Sequence, residues 1–152
     1  MYNREENVRE INEALMAGHR ALECLQDAEK CLSNAKDLGL WDMIGGGLLI
    51  GLLKHSRLDD ASASIEEAKR LLLRFQKELK DVFIPTNLKM EIDGFITFAD
   101  FFLDGVIADW YVQKKIDQAL EEVQDARVRV GVVLSELEDM KQCEMKQCGF
   151  GG

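Results

Sequence analysis

The chain has 152 residues, 47% hydrophobic and 31% charged, with one proline and a formal net charge of −9. That length can bury a core without staples, and the composition excludes a disordered chain. The acidic balance argues against non-specific nucleic-acid binding, which needs clustered Lys and Arg, and against adsorption to anionic lipid.

The opening MYNREENVRE lacks the apolar stretch of a signal peptide. Four cysteines in that context read as reduced thiols, and the expected location is the cytoplasm. The first long helix is predicted from about Arg4 to Asp37. Its seam steps by three and four through Val8, Ile11, Leu15, Gly18, Leu22, Leu25, Glu29 and Leu32. Gly18 and Glu29 break the apolar rule of that seam.

Next comes LGLWDMIGGGLLIGLLKHSRLDD, residues 38 to 60, with Gly45, Gly46 and Gly47 inside an apolar run. From Leu38 to Leu53 the only charge is Asp42, but the run falls short of the roughly 20 residues that span a bilayer. It carries neither phosphate-loop signature, and no strand precedes it. The glycines, with Gly47 and Gly51 spaced as a small-xxx-small pair, therefore read as a turn or a close helix approach. The expectation is a turn plus a short apolar helix over 38–58, packed on the last long helix.

The second long helix is predicted to start at Asp59 or Asp60, either of which can cap it. Its seam is Ala61, Ile65, Ala68, Leu72, Phe75, Leu79 and Val82, and it stops before Pro85. The third is predicted from a cap at Asp93 to about Lys141. Its seam runs Phe95, Phe98, Phe102, Gly105, Asp109, Val112, Ile116, Ala119, Val123, Ala126, Val130, Val133, Leu137 and Met140. A repeat of this kind implies left-handed helix packing. The expected fold is all-α: an elongated antiparallel helical bundle with coiled-coil-like heptad packing, three long helices plus a short apolar one. The bundle domain is 1–141, with a flexible tail at 142–152 holding Cys143 and Cys148. In a simple hairpin the part of the third helix beyond residue 117 outruns the second helix. Its apolar seam then needs a cover, either the 38–58 segment folded back or a second subunit, and a homodimer is the expected one.

Candidate sites are few. His55 and Asp59 sit one helical turn apart, as do Asp100 and Asp104. Asp109 falls in the seam beside Trp110, where a carboxylate needs a partner or a shifted pKa. The hairpin register sets Asp100 opposite about residue 76 and Asp109 opposite about residue 67. That separates them, and Asp100 and Asp104 are expected to face solvent or to pair with Arg70, Arg74 or Lys77. Phe101 and Trp110 lie off the narrow seam and suggest a second buried face. Cys24 and Cys31 fit buried or half-buried positions. There is no Glu-x-x-His motif, no complete zinc set around C-x4-C, and no nucleophile–base constellation. No catalytic residue, metal or cofactor is predicted.

WDMIGGG (41–47), KHSRLDDA (54–61) and FADFFLDGVIADW (98–110) resemble motifs of a family of uncharacterised bacterial helical proteins. The resemblance covers about residues 14 to 137. It implies an all-helical fold and no particular activity. It marks Trp41, Asp42, Gly45, Gly46, Gly47, Lys54, His55, Asp59, Asp100, Asp104, Asp109 and Trp110 as candidate ligand or interaction residues. The expected function is a non-enzymatic interaction or scaffolding protein, partnered by a second copy or by another protein, with no nucleic acid. One alternative is a ligand- or metal-binding bundle in which the 41–59 segment brings Asp42, His55 and Asp59 to Asp109. Another is a peripheral membrane protein inserting 43–53, which the charge and the missing basic face oppose.

Overall fold

The computed structural model describes residues 2–37, 48–104 and 116–149, and their side chains except those at 35, 48–62, 104 and 147–149. Within these residues all regular structure is helical: α1 Arg4–Asp37, α2 Leu48–Asp81, α3 Thr86–Asp104 and α4 Ile116–Gly149. Asn3 caps α1, its side-chain oxygen accepting from the Glu6 N–H at 3.1 Å. Glu5 and Glu6 in the first turn face the positive end of the helix dipole.

Two predicted starts are corrected. α2 is already helical at Leu48, so neither Asp59 nor Asp60 is its cap, and residues 48–58 belong to α2 rather than to a separate short helix. The residues before them are leucines and long side chains with high helix propensity, and Gly51 alone costs only about 1 kcal/mol. α3 begins at Thr86 directly after Pro85, where the Leu88 N–H donates to the Pro85 carbonyl at 3.0 Å. Asp93 is therefore interior, and its carbonyl accepts from the Thr97 hydroxyl at 3.0 Å. α4 carries helix past the boundary expected at Lys141, through Gly149.

Cross-helix contacts fix the directions. Asn7 meets Phe83 and Cys31 meets Ser64, so α1 and α2 are antiparallel. Lys36 pairs with Asp117 at 2.9 Å and Arg4 with Glu144 at 3.6 Å, so α1 and α4 are antiparallel too. Gln76 reaches Asp100 and Arg129 lies over Phe98, which places α3 against both α2 and α4. The core runs along these contacts, with Ile11, Leu25, Leu32, Leu72, Phe75, Phe102, Val123, Val130 and Leu137 essentially without exposure.

The seam of Ala119, Val123, Ala126, Val130, Val133 and Leu137 is buried within one chain. Its cover is α1, which lies along α4 as well as along α2. The premise that led to a dimer, an uncovered seam, does not hold: the single third helix predicted over 93–141 is two helices that run in opposite directions, so α4 turns back along α1 instead of projecting past α2. Of the two residues that suggested a second buried face, Phe101 is 59% exposed and Trp110 lies outside the described residues.

Asn7 is buried and answers both backbone groups of Phe83. Its Oδ1 accepts from the Phe83 N–H at 2.7 Å, and its Nδ2 donates to the Phe83 carbonyl at 3.4 Å. The connection after α2 is thereby pinned to α1. Asn7→Ala is expected to lose about 1.5 kcal/mol and to lower the thermal midpoint by roughly 3–6 °C. Calorimetry checks this, and an unchanged midpoint would remove the anchor role.

Candidate functional site

Of the residues singled out by motif, Trp41, Asp42, Gly45, Gly46, Gly47, Asp109 and Trp110 lie outside the described residues. Lys54, His55 and Asp59 lie on the first half of α2, and their side chains are not described. Asp104 ends α3 in the same condition. Asp100 is exposed and accepts from Gln76 Nε2 at 2.6 Å, the position the hairpin register gives it. It shares a shallow surface with Lys69 and Arg70 on α2, which is the solvent-facing role expected of it.

The structure assembles a different group of carboxylates. Glu10 comes from the second turn of α1, while Glu78 and Asp81 come from the last turn of α2. One ligand oxygen from each lies within 4.8 Å of the others. Beside them is a cavity of about 450 Å³ lined by Tyr2, Asn3, Glu6, Asn7, Glu10, Asp81 and Phe83. The Tyr2 ring packs on Phe83 with centroids 4.7 Å apart, and its hydroxyl donates to Glu144. The end of the molecule near Pro85 therefore gathers the start of α1, the end of α2 and the end of α4.

Three carboxylate oxygens from two helices can suit a hard divalent cation. Here arginines compete for them, with Arg9 3.8 Å from Glu10 and Arg74 3.9 Å from Glu78. No nucleophile–base pair accompanies the group among the described residues. Burial pushes the Glu10 carboxyl above its ordinary range, and Glu13, Asp81 and Glu78 add to the rise against Arg9. Glu122 and Glu136 are raised as well, whereas the Arg70 hydrogen bond holds Glu67 below its ordinary range.

The sign follows from linkage. A carboxyl raised on folding is better accommodated protonated, so it contributes stability at low pH that is lost as pH rises through its folded pKa. Among the described carboxyls three are raised and one is lowered, which predicts a thermal midpoint that rises as pH falls from neutrality toward the ordinary carboxylate range. Glu10→Gln should raise the midpoint at pH 7 and flatten the climb. A midpoint that falls steadily over that interval in the parent chain would contradict the charge assignment.

No family model, curated protein or solved structure matches this chain. No described helix is long and apolar enough to cross a membrane. What chemistry the chain offers must therefore be read from its own surface.

Sequence reasoning missed Glu10, Glu78, Asp81, Asn7 and Gln76. The three-residue spacing of Glu78 and Asp81 places them on one helix face, but Glu10 joins them only through the α1–α2 register. Gln76 is buried and its Nε2 donates to the Ile96 carbonyl at 3.1 Å as well as to Asp100. Nothing in its local pattern separates it from the exposed Lys77 beside it.

Proposed function

We propose that this chain is a non-enzymatic helical interaction or scaffolding module of the cytoplasm, an elongated antiparallel bundle with coiled-coil-like heptad packing. The observation that carries the reading is the outer surface of α3 and α4. There Phe101, Val128 and Val132 are more than half exposed. Large apolar side chains left outside the described core are available to another protein. Kinship with the bacterial helical family, suggested by the motifs at 41–47, 54–61 and 98–110, belongs to the same proposal.

The test compares the parent chain with Phe101→Ser/Val132→Ser, both immobilised and exposed to a lysate of the cells that make it. The reading expects proteins retained by the parent to be lost from the variant, with the helical circular dichroism unchanged. Identical retention on both would remove this surface from the account. A second copy remains a proposed partner. The ligand-binding alternative built on 41–59 and Asp109 predicts an added mass on the purified chain. The peripheral membrane alternative predicts co-flotation with liposomes.

A further inference from the structure

Between α3 and α4 runs an apolar channel of about 370 Å³, lined by Ile92, Gly94 and Phe95 on one side and Val128, Val132 and Val133 on the other. Gly94 faces open space in it: a Cβ added there would meet nothing within 4 Å, so only a larger side chain would fill the channel. Glycine inside a helix costs roughly 0.5–1 kcal/mol relative to alanine. Val128 and Val132 stand 55% and 52% exposed along the channel, one helical turn apart. One further turn along the same line is Glu136, and Glu91 faces it from α3.

We propose that this channel docks a basic amphipathic helix of another protein. Its apolar side chains lie over Val128 and Val132, and a Lys or Arg sits against the paired carboxyls of Glu91 and Glu136. The proposal rests on the interaction-module reading and gives that module a site and a partner chemistry. Two carboxylates facing each other across an apolar channel form a complementary seat for a guanidinium or ammonium group. Arg129, the cation within the channel, is already committed: it pairs with Asp125 at 3.2 Å and lies 4.5 Å over the Phe98 ring. The Glu136 carboxyl is held above its ordinary range, first by burial and then by Glu91, with Asp139 adding. A bound cation relieves that repulsion.

The ladder on α4, two apolar residues and an acid at successive turns, matches a helix with two apolar residues and a base at successive turns. A second copy presenting the same surface would instead set Glu91 and Glu136 against their own kind, with −9 on each chain.

The experiment titrates the full chain with a short Leu/Lys amphipathic helical peptide, using a Leu/Glu peptide of the same length as control. The expected result is one Leu/Lys peptide bound per chain and no binding of the Leu/Glu peptide. Glu91→Gln/Glu136→Gln and Gly94→Leu should each weaken binding about tenfold or more, a change of about 1.4 kcal/mol or greater. Glu5→Gln/Glu13→Gln, which removes two exposed carboxylates of α1, should leave it unchanged.

No binding, equal weakening by the Glu5/Glu13 pair, or indifference to Gly94→Leu would each overturn the docking site. So would self-association of the parent chain that Gly94→Leu abolishes, because a second copy would then occupy the channel. Native mass spectra of the unliganded samples separate the two levels. A stoichiometric bound metal or small molecule removes the interaction reading itself. A bare chain that binds no peptide removes only the channel.

Discussion

Phe75→Ala is expected to lower the unfolding free energy by about 4 kcal/mol and the thermal midpoint by roughly 8–16 °C. Phe75 has no exposed surface, and its ring meets Phe95 of α3 with centroids 5.5 Å apart at 58°. The far edge of the same ring lies where a Gly18 Cβ would be, against α1. Truncation thus removes apolar transfer energy, leaves a cavity that three helices must close, and loses an aromatic pair worth about 0.5–1.5 kcal/mol. Phe101→Ala, with a ring 59% exposed, should stay within about 0.5 kcal/mol of the parent chain. Denaturant titration of both variants checks the contrast, and comparable losses would mean that the burial pattern is wrong.

Gly18 carries the second large effect, and there the sign is the informative part. On helix propensity alone Gly18→Ala should stabilise by about 1 kcal/mol. The structure predicts a loss instead. A Cβ at Gly18 would lie 2.6 Å from Leu134 Cδ2 and 2.8 and 2.9 Å from Phe75 Cε1 and Cζ. Overpacking of that kind costs about 1–3 kcal/mol and exceeds the propensity gain. Gly18→Val adds two more carbons to the same space and should cost about 3 kcal/mol or more. Leu134→Ala should recover part of the loss in the double variant, because it removes the nearest obstructing atom. Gly94→Ala, with nothing within 4 Å, should go the other way and stabilise by about 0.5–1 kcal/mol. If Gly18→Ala and Gly94→Ala both stabilise, α1 does not approach α2 and α4 as closely as described.

These two residues show what sequence pattern can and cannot carry. The three-four spacing identifies the core: Ile65, Ala68, Leu72, Phe75, Leu79 and Val82 are all buried, as is the seam from Ile116 to Met140. Both exceptions on α1 also have physical causes. Gly18 sits at the crossing of α1 with Phe75 and Leu134. Glu29 reaches past the seam to Arg127 Nε at 2.6 Å and accepts from Gln124 at 3.2 Å. A period reports which face is apolar, but not which helix it meets. Nor does it report a reversal: the unbroken spacing over 93–141 spans two helices that run in opposite directions, and the seam beyond residue 117 comes back along α1.

Element starts were less legible. Asp59 and Asp93 look like caps, but a capping residue terminates a helix only where the preceding chain disfavours helix. The leucines before Asp59 and the segment from Thr86 onward do not. The carboxylate group of Glu10, Glu78 and Asp81 was out of reach, because it depends on the register between α1 and α2. By contrast, the Asp100 position opposite Gln76 followed from counting back through the turn at Pro85, where the connection is short.

The central claim is that the chain works by protein contact and carries no small ligand. Native mass spectrometry of the purified protein, at a resolution that shows a single bound metal ion, tests it most directly. The account predicts the mass of the polypeptide or a whole-number multiple of it. A stoichiometric added mass that disappears in His55→Ala or Asp109→Asn, with helicity intact, would contradict the account.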